Sequence, residues 1–260
     1  MPALLEENTA LDTPVSVEVY TPGEPFDHTV KHSKEYYLQY IEHFEPNKKR
    51  RYLYRFIKRA FDIIASFAAL VLLSPLMLVL AIAIRRDSEG GAIFKQKRIG
   101  KNGKEFWCYK FRTMKVDAPH DCATSQLEHP EQYRTRFGCF LRRTSLDELP
   151  QLWCVFIGTM SVIGYRPLIP GEKKCNEMRR QLHVFTMKPG ISGYAQVHGR
   201  DNVYYKNKAI LDAEYVKKAT LWLDLKLIFQ TIAVILKKEG NQDGEESPAE
   251  APQDKQEVVS

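Results

Sequence analysis

Ser145 to Leu152 reads SLDELPQL and sets two carboxylates, Asp147 and Glu148, side by side just after Arg142 and Arg143. Adjacent carboxylates beside guanidinium groups suit chemistry at phosphorus. One carboxylate attacks, and the cations hold the charged centre. The same string also reads as a capping box, with Ser145 as N-cap and Glu148 three residues on. That reading accounts for Ser145 and Glu148. It leaves Asp147 in a first helical turn, where the positive helix end keeps a carboxylate ionised. At the level of this motif both readings stay open.

Other cations recur beside glycine or proline or in compact strings. Lys110 and Arg112 lie in YKFRTM, Arg166 in GTMSVIGYRPLIP (Gly158 to Pro170), and Arg200 in KPGISGYAQVHGRD (Lys188 to Asp201). Fixed turns that hold guanidinium forks suit bidentate recognition of phosphate. No G-x-x-x-x-G-K-[ST] loop and no G-x-G-x-x-G occurs, and the one H-x-x-x-H pair, His28 and His32, lies in the acidic lead away from the candidate motifs. The sequence therefore lacks the signatures of a P-loop nucleotidase and a dinucleotide fold. His198 alone among the histidines falls near a candidate motif. Five dispersed cysteines (Cys108, Cys122, Cys139, Cys154, Cys175) form neither a zinc pattern nor a disulfide framework, and are read as reduced thiols.

These residues need elements to position them. The 260 residues are 44% hydrophobic and 27% charged, which is ordinary globular composition. The net charge of +6 conceals two acidic ends. Residues 1–45 carry −7 and residues 239–260 carry −6, which leaves +19 on residues 46–238. A core this basic wants anions: nucleic acid, lipid headgroups or phosphate-bearing substrates. The organisation expected is an acidic, largely flexible lead over 1–45 and a basic flank with a membrane helix over 46–90. A catalytic domain over 91–238 and a disordered acidic tail over 239–260 complete it. Within the lead, residues 33–44 are expected to form one short helix.

Ile63 to Ile84 runs 22 residues without a charge. As a straight helix that is about 33 Å, enough for a hydrocarbon core of about 30 Å. The run starts too far into the chain for a cleaved signal peptide. Cationic clusters flank it on both sides, from Lys48 to Arg59 and from Arg85 to Lys104. Such flanks prefer the cytoplasmic side. A segment that dips in and returns satisfies both, whereas a span satisfies one. Ser74-Pro75 near the middle supplies the break, because Pro75 has no N–H for the Val71 carbonyl. The Ser74 hydroxyl is able to satisfy a carbonyl freed by the bend. Beyond it, Ala92–Gly100 and Glu105–Phe111 are expected to pair as a β-hairpin around Asn102-Gly103. Leu221 to Leu236 reads as an interfacial or core helix, since Asp224 and Lys226 interrupt its apolar run.

Taken in order, eight strings resemble the bacterial sugar transferases, the monotopic phosphoglycosyl transferases that begin polysaccharide assembly. They are KRAFDI (Lys58 to Ile63), the Ser-Pro apolar segment, FKQKRIGKNGKEF (Phe94 to Phe106) and YKFRTM. LRRTSLDELPQLW (Leu141 to Trp153), GTMSVIGYRPL, KPGISGYAQVHGR and LWLDLKLIFQT follow. The resemblance runs from about Lys58 to Lys238. It implies an α+β, mostly helical monotopic membrane protein with a re-entrant helix hairpin turned at Ser74 and Pro75, a small β-hairpin and interfacial amphipathic helices. It implies that Asp147 and Glu148 are catalytic, that Mg²⁺ is the cofactor and is held by the same pair, and that Lys110, Arg112, Arg142, Arg166 and Arg200 bind substrate phosphate. Two positions depart from the family pattern. Thr159 replaces a usual acid, and Tyr165 replaces the proline usual before Arg-Pro, which bears on substrate detail near Arg166.

The function implied is transfer of a phosphosugar from a UDP-sugar to polyprenyl (undecaprenyl) phosphate with release of UMP. Asp147 is the nucleophile of a covalent intermediate, and Glu148 positions Mg²⁺ or the acceptor. The partners expected are the UDP-sugar, polyprenyl phosphate, anionic lipids of the bacterial inner membrane at its cytoplasmic face, and a second copy in a homodimer. No nucleic acid is expected. A catalytically inactive scaffold of the same fold and a membrane-tethered nucleic-acid binder are the alternatives; the first predicts no UMP release, the second salt-dependent binding of RNA or DNA.

Overall fold

The computed structural model describes residues 48–119, 129–198 and 205–236. The acidic lead, the helix expected over 33–44, Arg200 and the tail from Gly240 lie outside the described residues.

Helix α1, Lys48–Asp87, is 40 residues long and carries the apolar run. Its buried and half-buried positions include Lys58, Asp62, Ser66, Leu70, Leu73, Met77, Leu80 and Ile84. They recur every three or four residues, so one stripe faces the body along the whole helix. The stripe crosses Pro75 without losing phase. The opposite face exposes Ile64, Leu72 and Val79, and only 11% of the most apolar window is buried. A core helix of a water-soluble fold would bury most of that window. Among the described residues α1 is the one helix long and apolar enough to cross a membrane. Helical structure continues through Ser74-Pro75 rather than breaking into two helices with a loop between them. The Ser74 hydroxyl donates to the Val71 carbonyl at 2.8 Å, which takes up the acceptor that Pro75 cannot serve.

Polar side chains on the stripe fix α1 to the body. Lys58 Nζ lies 2.9 Å from Asp224 Oδ2, which also accepts from the Tyr54 hydroxyl. Tyr215 donates to the other oxygen of Asp224 at 2.6 Å. The Asp62 carboxylate accepts from Ser161 Oγ and from the Val162 N–H. Buried polar groups paired this fully cost little and fix one arrangement.

Strands β1 (Ile93–Ile99) and β2 (Glu105–Phe111) form the expected antiparallel hairpin, with Gln96 opposite Cys108 and Arg98 opposite Phe106. Asn102 and Gly103 both have positive φ, 58° and 71°, as a primed turn requires. A short α2 (Pro130–Tyr133) precedes α3 (Arg136–Thr144), and then α4 (Gln151–Ile157). Arg59 donates to the Val155 and Phe156 carbonyls at the C-terminal end of α4, where Val155 also accepts from the Gly158 N–H that caps the helix. Strand β3 (Ser161–Ile163) is followed by α5 (Lys173–Gln181) and β4 (Gly190–Ser192). The strands β3 and β4 pair in parallel, which joins the GTMSVIGYRPL and KPGISGYAQVHGR strings. The approach is so close that a Cβ on Gly190 would stand 2.1 Å from the Gly164 nitrogen. Helices α6 (Tyr194–His198), α7 (Tyr205–Lys218) and α8 (Leu221–Leu236) complete the described chain.

The main core gathers around Ile163, Tyr165, Leu182, Val184, Tyr215 and Leu227. A second cluster joins Leu80 and Ile84 of α1 to Ala92, Phe111 and Leu141. On α8, Asp224 and Leu227 face inward while Trp222, Phe229 and Ile232 are exposed. The acid that interrupts the apolar run of α8 thus points into the body, and the opposite face is open and apolar.

Candidate active site

Four elements meet at the carboxylate pair. Helix α3 is capped by the Thr135 hydroxyl, which accepts from the Gly138 N–H at 2.9 Å. The helix lies so tightly on the Thr113 backbone that a Cβ on Gly138 would stand 2.1 Å from the Thr113 carbonyl oxygen. It ends at Ser145, which is left-handed at φ 57° and donates its N–H to the Arg142 and Leu141 carbonyls. The reversal feeds a single 3₁₀ turn, Leu146–Glu148, and turns both acids toward β2.

Ser145 makes no side-chain cap and the Glu148 side chain does not reach back. The capping-box reading is therefore overturned: the chain needs Ser145 to close α3, and the two acids are left for other work. The helix end expected to hold Asp147 ionised is also missing, since three residues of 3₁₀ turn carry little dipole.

The two carboxylates have different surroundings. Glu148 Oε1 lies 2.7 Å from Lys110 Nζ and 3.1 Å from Arg166 Nη1. Burial alone would raise its carboxyl, but Lys110 and Arg166 outweigh it and hold Glu148 at about 2. Asp147 is buried and accepts no hydrogen bond from any described residue; Lys110 Nζ stands 3.9 Å from its Oδ2. Burial pushes the Asp147 carboxyl up; Lys110 opposes the shift, and the charge of Glu148 adds to it. One acid is neutralised by two cations in hydrogen-bond contact, and the other is largely buried with its nearest cation 3.9 Å away. A carboxylate in the second condition is a stronger nucleophile than one that is hydrogen-bonded and hydrated.

The expected cations divide. Lys110 and Arg166 contact Glu148 directly, and Arg142 acts on Asp147 through its charge while donating Nε to Thr113 Oγ1 at 3.0 Å. Arg112 is not brought to the pair. Its guanidinium binds Ser88 O, Ser88 Oγ and Glu89 O at the end of α1. Arg200 lies outside the described residues. The departure at Thr159 is accommodated locally, with its hydroxyl donating to the Cys154 carbonyl at the end of α4.

Two side chains not singled out from sequence line the same cleft, Arg98 and Gln151. Burial, and then the neighbouring Arg166, lowers the Arg98 pKa. Two guanidinium groups that repel each other beside a carboxylate form a place where a multiply charged anion relieves the repulsion. Strand alternation held the signal for Arg98. In the hairpin register, Gln96 and Arg98 share a face with Cys108 and Lys110. A larger cleft of about 540 Å³ lies elsewhere, between Asp87–Glu89, Lys115–Asp117 and Arg134–Arg136. It holds neither member of the pair, and acids and bases line it in equal number.

Among the described residues, no three of His, Cys, Asp and Glu come together in a metal-holding group. Asp147 and Glu148 supply two carboxylates only. That set does not make a protein cage, but it fits Mg²⁺, which is held through one or two carboxylates with substrate phosphates and water supplying the rest.

The family described as bacterial sugar transferase matches residues 53–238. An undecaprenyl-phosphate galactose phosphotransferase of Salmonella typhimurium is 39% identical over 202 residues, 72% of this chain and 42% of its own. A UDP-glucose:undecaprenyl-phosphate glucose-1-phosphate transferase of Escherichia coli is 39% identical over 188 residues, 68% of this chain and 40% of its own. The exopolysaccharide production protein ExoY of Rhizobium meliloti is 36% identical over 200 residues, 71% of this chain and 87% of its own. The chain thus spans less than half the length of the first two relatives.

Proposed function

The chain belongs to the bacterial sugar transferase family, and from that premise we propose that it transfers a phosphosugar from a UDP-sugar to polyprenyl phosphate, with release of UMP. The observation that carries the reading is the contrast within one pair of adjacent acids: Glu148 clamped by Lys110 and Arg166, and Asp147 buried without a hydrogen bond. In the first half-reaction an Asp147 oxygen attacks the phosphorus that bears the sugar. The bond from that phosphorus to the bridging oxygen breaks, and UMP leaves with the electron pair. In the second, a lipid phosphate oxygen attacks the same phosphorus and Asp147 leaves as a free carboxylate. One phosphoanhydride is exchanged for another, so the reaction needs no ATP.

Lys110 and Arg166 are placed to hold charge on the diphosphate, with Arg98 beside them and Arg142 behind Asp147. Asp147 and Glu148 would hold Mg²⁺ with the substrate phosphates. Bound there, the ion would neutralise charge on the diphosphate.

The same reading places α1 in the inner membrane as a re-entrant segment, with the site at the cytoplasmic face. Because α1 is one helix, a returning path bends at Pro75 rather than unwinding. The cationic flanks, the unbroken inner stripe and the Ser74 bond to Val71 support that path. The exposed apolar face of α8, with Trp222 and Phe229, lies at the headgroups in this arrangement.

The test is UMP release from a panel of UDP-sugars with polyprenyl phosphate and Mg²⁺. Wild type should release UMP with at least one donor, and a labelled phosphosugar should be trapped on it but not on Asp147→Asn. Absence of UMP with every donor, or full activity in Asp147→Asn, sinks the reading.

A further inference from the structure

We infer that Arg179 is a positioning residue for the site cation Arg166, acting from a buried post that substrate does not reach. The inference rests on the diphosphate-holding role proposed above for Arg166.

Between β3 and Pro170 the chain has no regular structure, yet Arg166 must present its guanidinium at one place. A segment left unfixed would have to lose its backbone freedom when substrate arrives, which weakens binding. The segment is fixed one carbonyl at a time. Gly190 N–H donates to Tyr165 O at 2.9 Å, Arg179 Nη1 to Arg166 O at 2.9 Å, Arg98 Nη1 to Pro167 O at 3.2 Å, and Ile99 N–H to Leu168 O at 2.9 Å. Four consecutive acceptors thus have four donors from three parts of the chain. The donor that serves residue 166 itself is Arg179.

Arg179 lies on α5 and is fully buried. Its Nη2 meets Asp212 Oδ2 of α7 at 2.5 Å. Its guanidinium lies 5.3 Å from the centre of the Tyr165 ring, which packs edge-on against Phe185. Here the departure from the usual proline has a physical account: Tyr165 points into the core and forms the floor beneath Arg179. A buried ion pair adds little net stability over an apolar pair of the same size. What distinguishes arginine is the planar fork, one arm on a carboxylate and the other on a carbonyl. A lysine keeps the charge opposite Asp212 but offers a single ammonium and loses the reach to Arg166 O.

The test is a double-mutant cycle on UDP binding, measured by calorimetry in detergent or nanodiscs, with UMP release and thermal melting alongside. Arg179→Lys should weaken UDP binding about tenfold, as expected of coupled neighbours. In an Arg166→Ala background the same change should cost less than twofold, because nothing remains to be positioned. A purely structural role for Arg179 would weaken binding equally in both backgrounds. That result, or unaltered binding in Arg179→Lys alone, overturns the inference. If Arg179→Lys does not fold, the paired replacement Arg179→Met with Asp212→Leu, which removes the fork and leaves no unpaired buried charge, goes through the same cycle under the same criterion. If Arg166→Ala leaves UDP binding unchanged, the role proposed for Arg166 fails and the inference falls with it. Equal losses in both backgrounds defeat the inference alone.

Discussion

Exchanging each member of the acidic pair for its neutral amide should move stability in opposite directions. Glu148 is held at about 2, against 4.5 for an ordinary glutamate. At 1.36 kcal/mol per unit that is on the order of 3 kcal/mol, contributed by its ionised form in the folded state. Its depressed value means the contribution is present above pH 4.5 and is lost as pH falls toward about 2. Asp147 is shifted the other way, chiefly by burial. Its ionised form therefore costs the folded state stability at neutral pH. That cost disappears as pH falls through its raised value toward 3.8, below which it is protonated in both states. Near pH 7, Glu148→Gln should melt about 6–12 °C below wild type, taking 2–4 °C per kcal/mol for a chain of this size. Asp147→Asn should melt at or above wild type while releasing no UMP. Thermal melting in one detergent from pH 7 to pH 4 measures both: Asp147→Asn should converge on wild type as pH falls, whereas the deficit of Glu148→Gln should persist across this range, because it is lost only below pH 4.5. Asp147→Asn melting well below wild type, or Glu148→Gln melting above it, would refute the assignment of roles within the pair.

Three further predictions follow from local geometry. Ser74→Ala removes the donor to the Val71 carbonyl and should lower thermal stability by about 1–2 kcal/mol; adding Pro75→Leu restores a backbone N–H and should recover melting temperature while activity falls, and no recovery means the carbonyl was not the cause. Single cysteines at positions 8 and 243, with the five native cysteines changed to alanine, should both resist a membrane-impermeant thiol reagent in intact cells, whereas labelling at position 8 alone marks a spanning helix. Gly138→Ala drives a methyl group into the Thr113 carbonyl and should cost several kcal/mol with loss of UMP release, since Thr113 also receives Arg142; near-normal melting contradicts the close packing.

The hairpin was legible in the sequence because Asn102-Gly103 dictates its own turn, and α8 because the run from Leu221 to Leu236 is strongly apolar with only Asp224 and Lys226 charged within it. The acids and two of their cations, Lys110 and Arg166, were legible from motif strings. The surroundings that tell Asp147 from Glu148 were not, because they come from β2 and from the segment after β3, far away in sequence. Arg112 shows why proximity in sequence misleads. It lies two residues past Lys110, where strand alternation would put both on one face, but β2 ends at Phe111 and Arg112 turns to the end of α1. The charges of KRAFDI read as a cationic flank, yet Lys58 and Asp62 face inward. Their spacing of four was the available signal.

The inward stripe of α1 changes what removal of the hydrophobic segment would mean. Many enzymes tolerate exchange of an anchor for another, or its deletion, because the anchor only tethers. Deleting this one would leave Asp224 without its ammonium partner and the Val155 and Phe156 carbonyls without Arg59. It would also open the floor beneath Phe111 and Leu141. With α1 in the bilayer as proposed, insertion and completion of the body are a single event. A version of this chain shortened by α1 would be an incomplete protein rather than an untethered one.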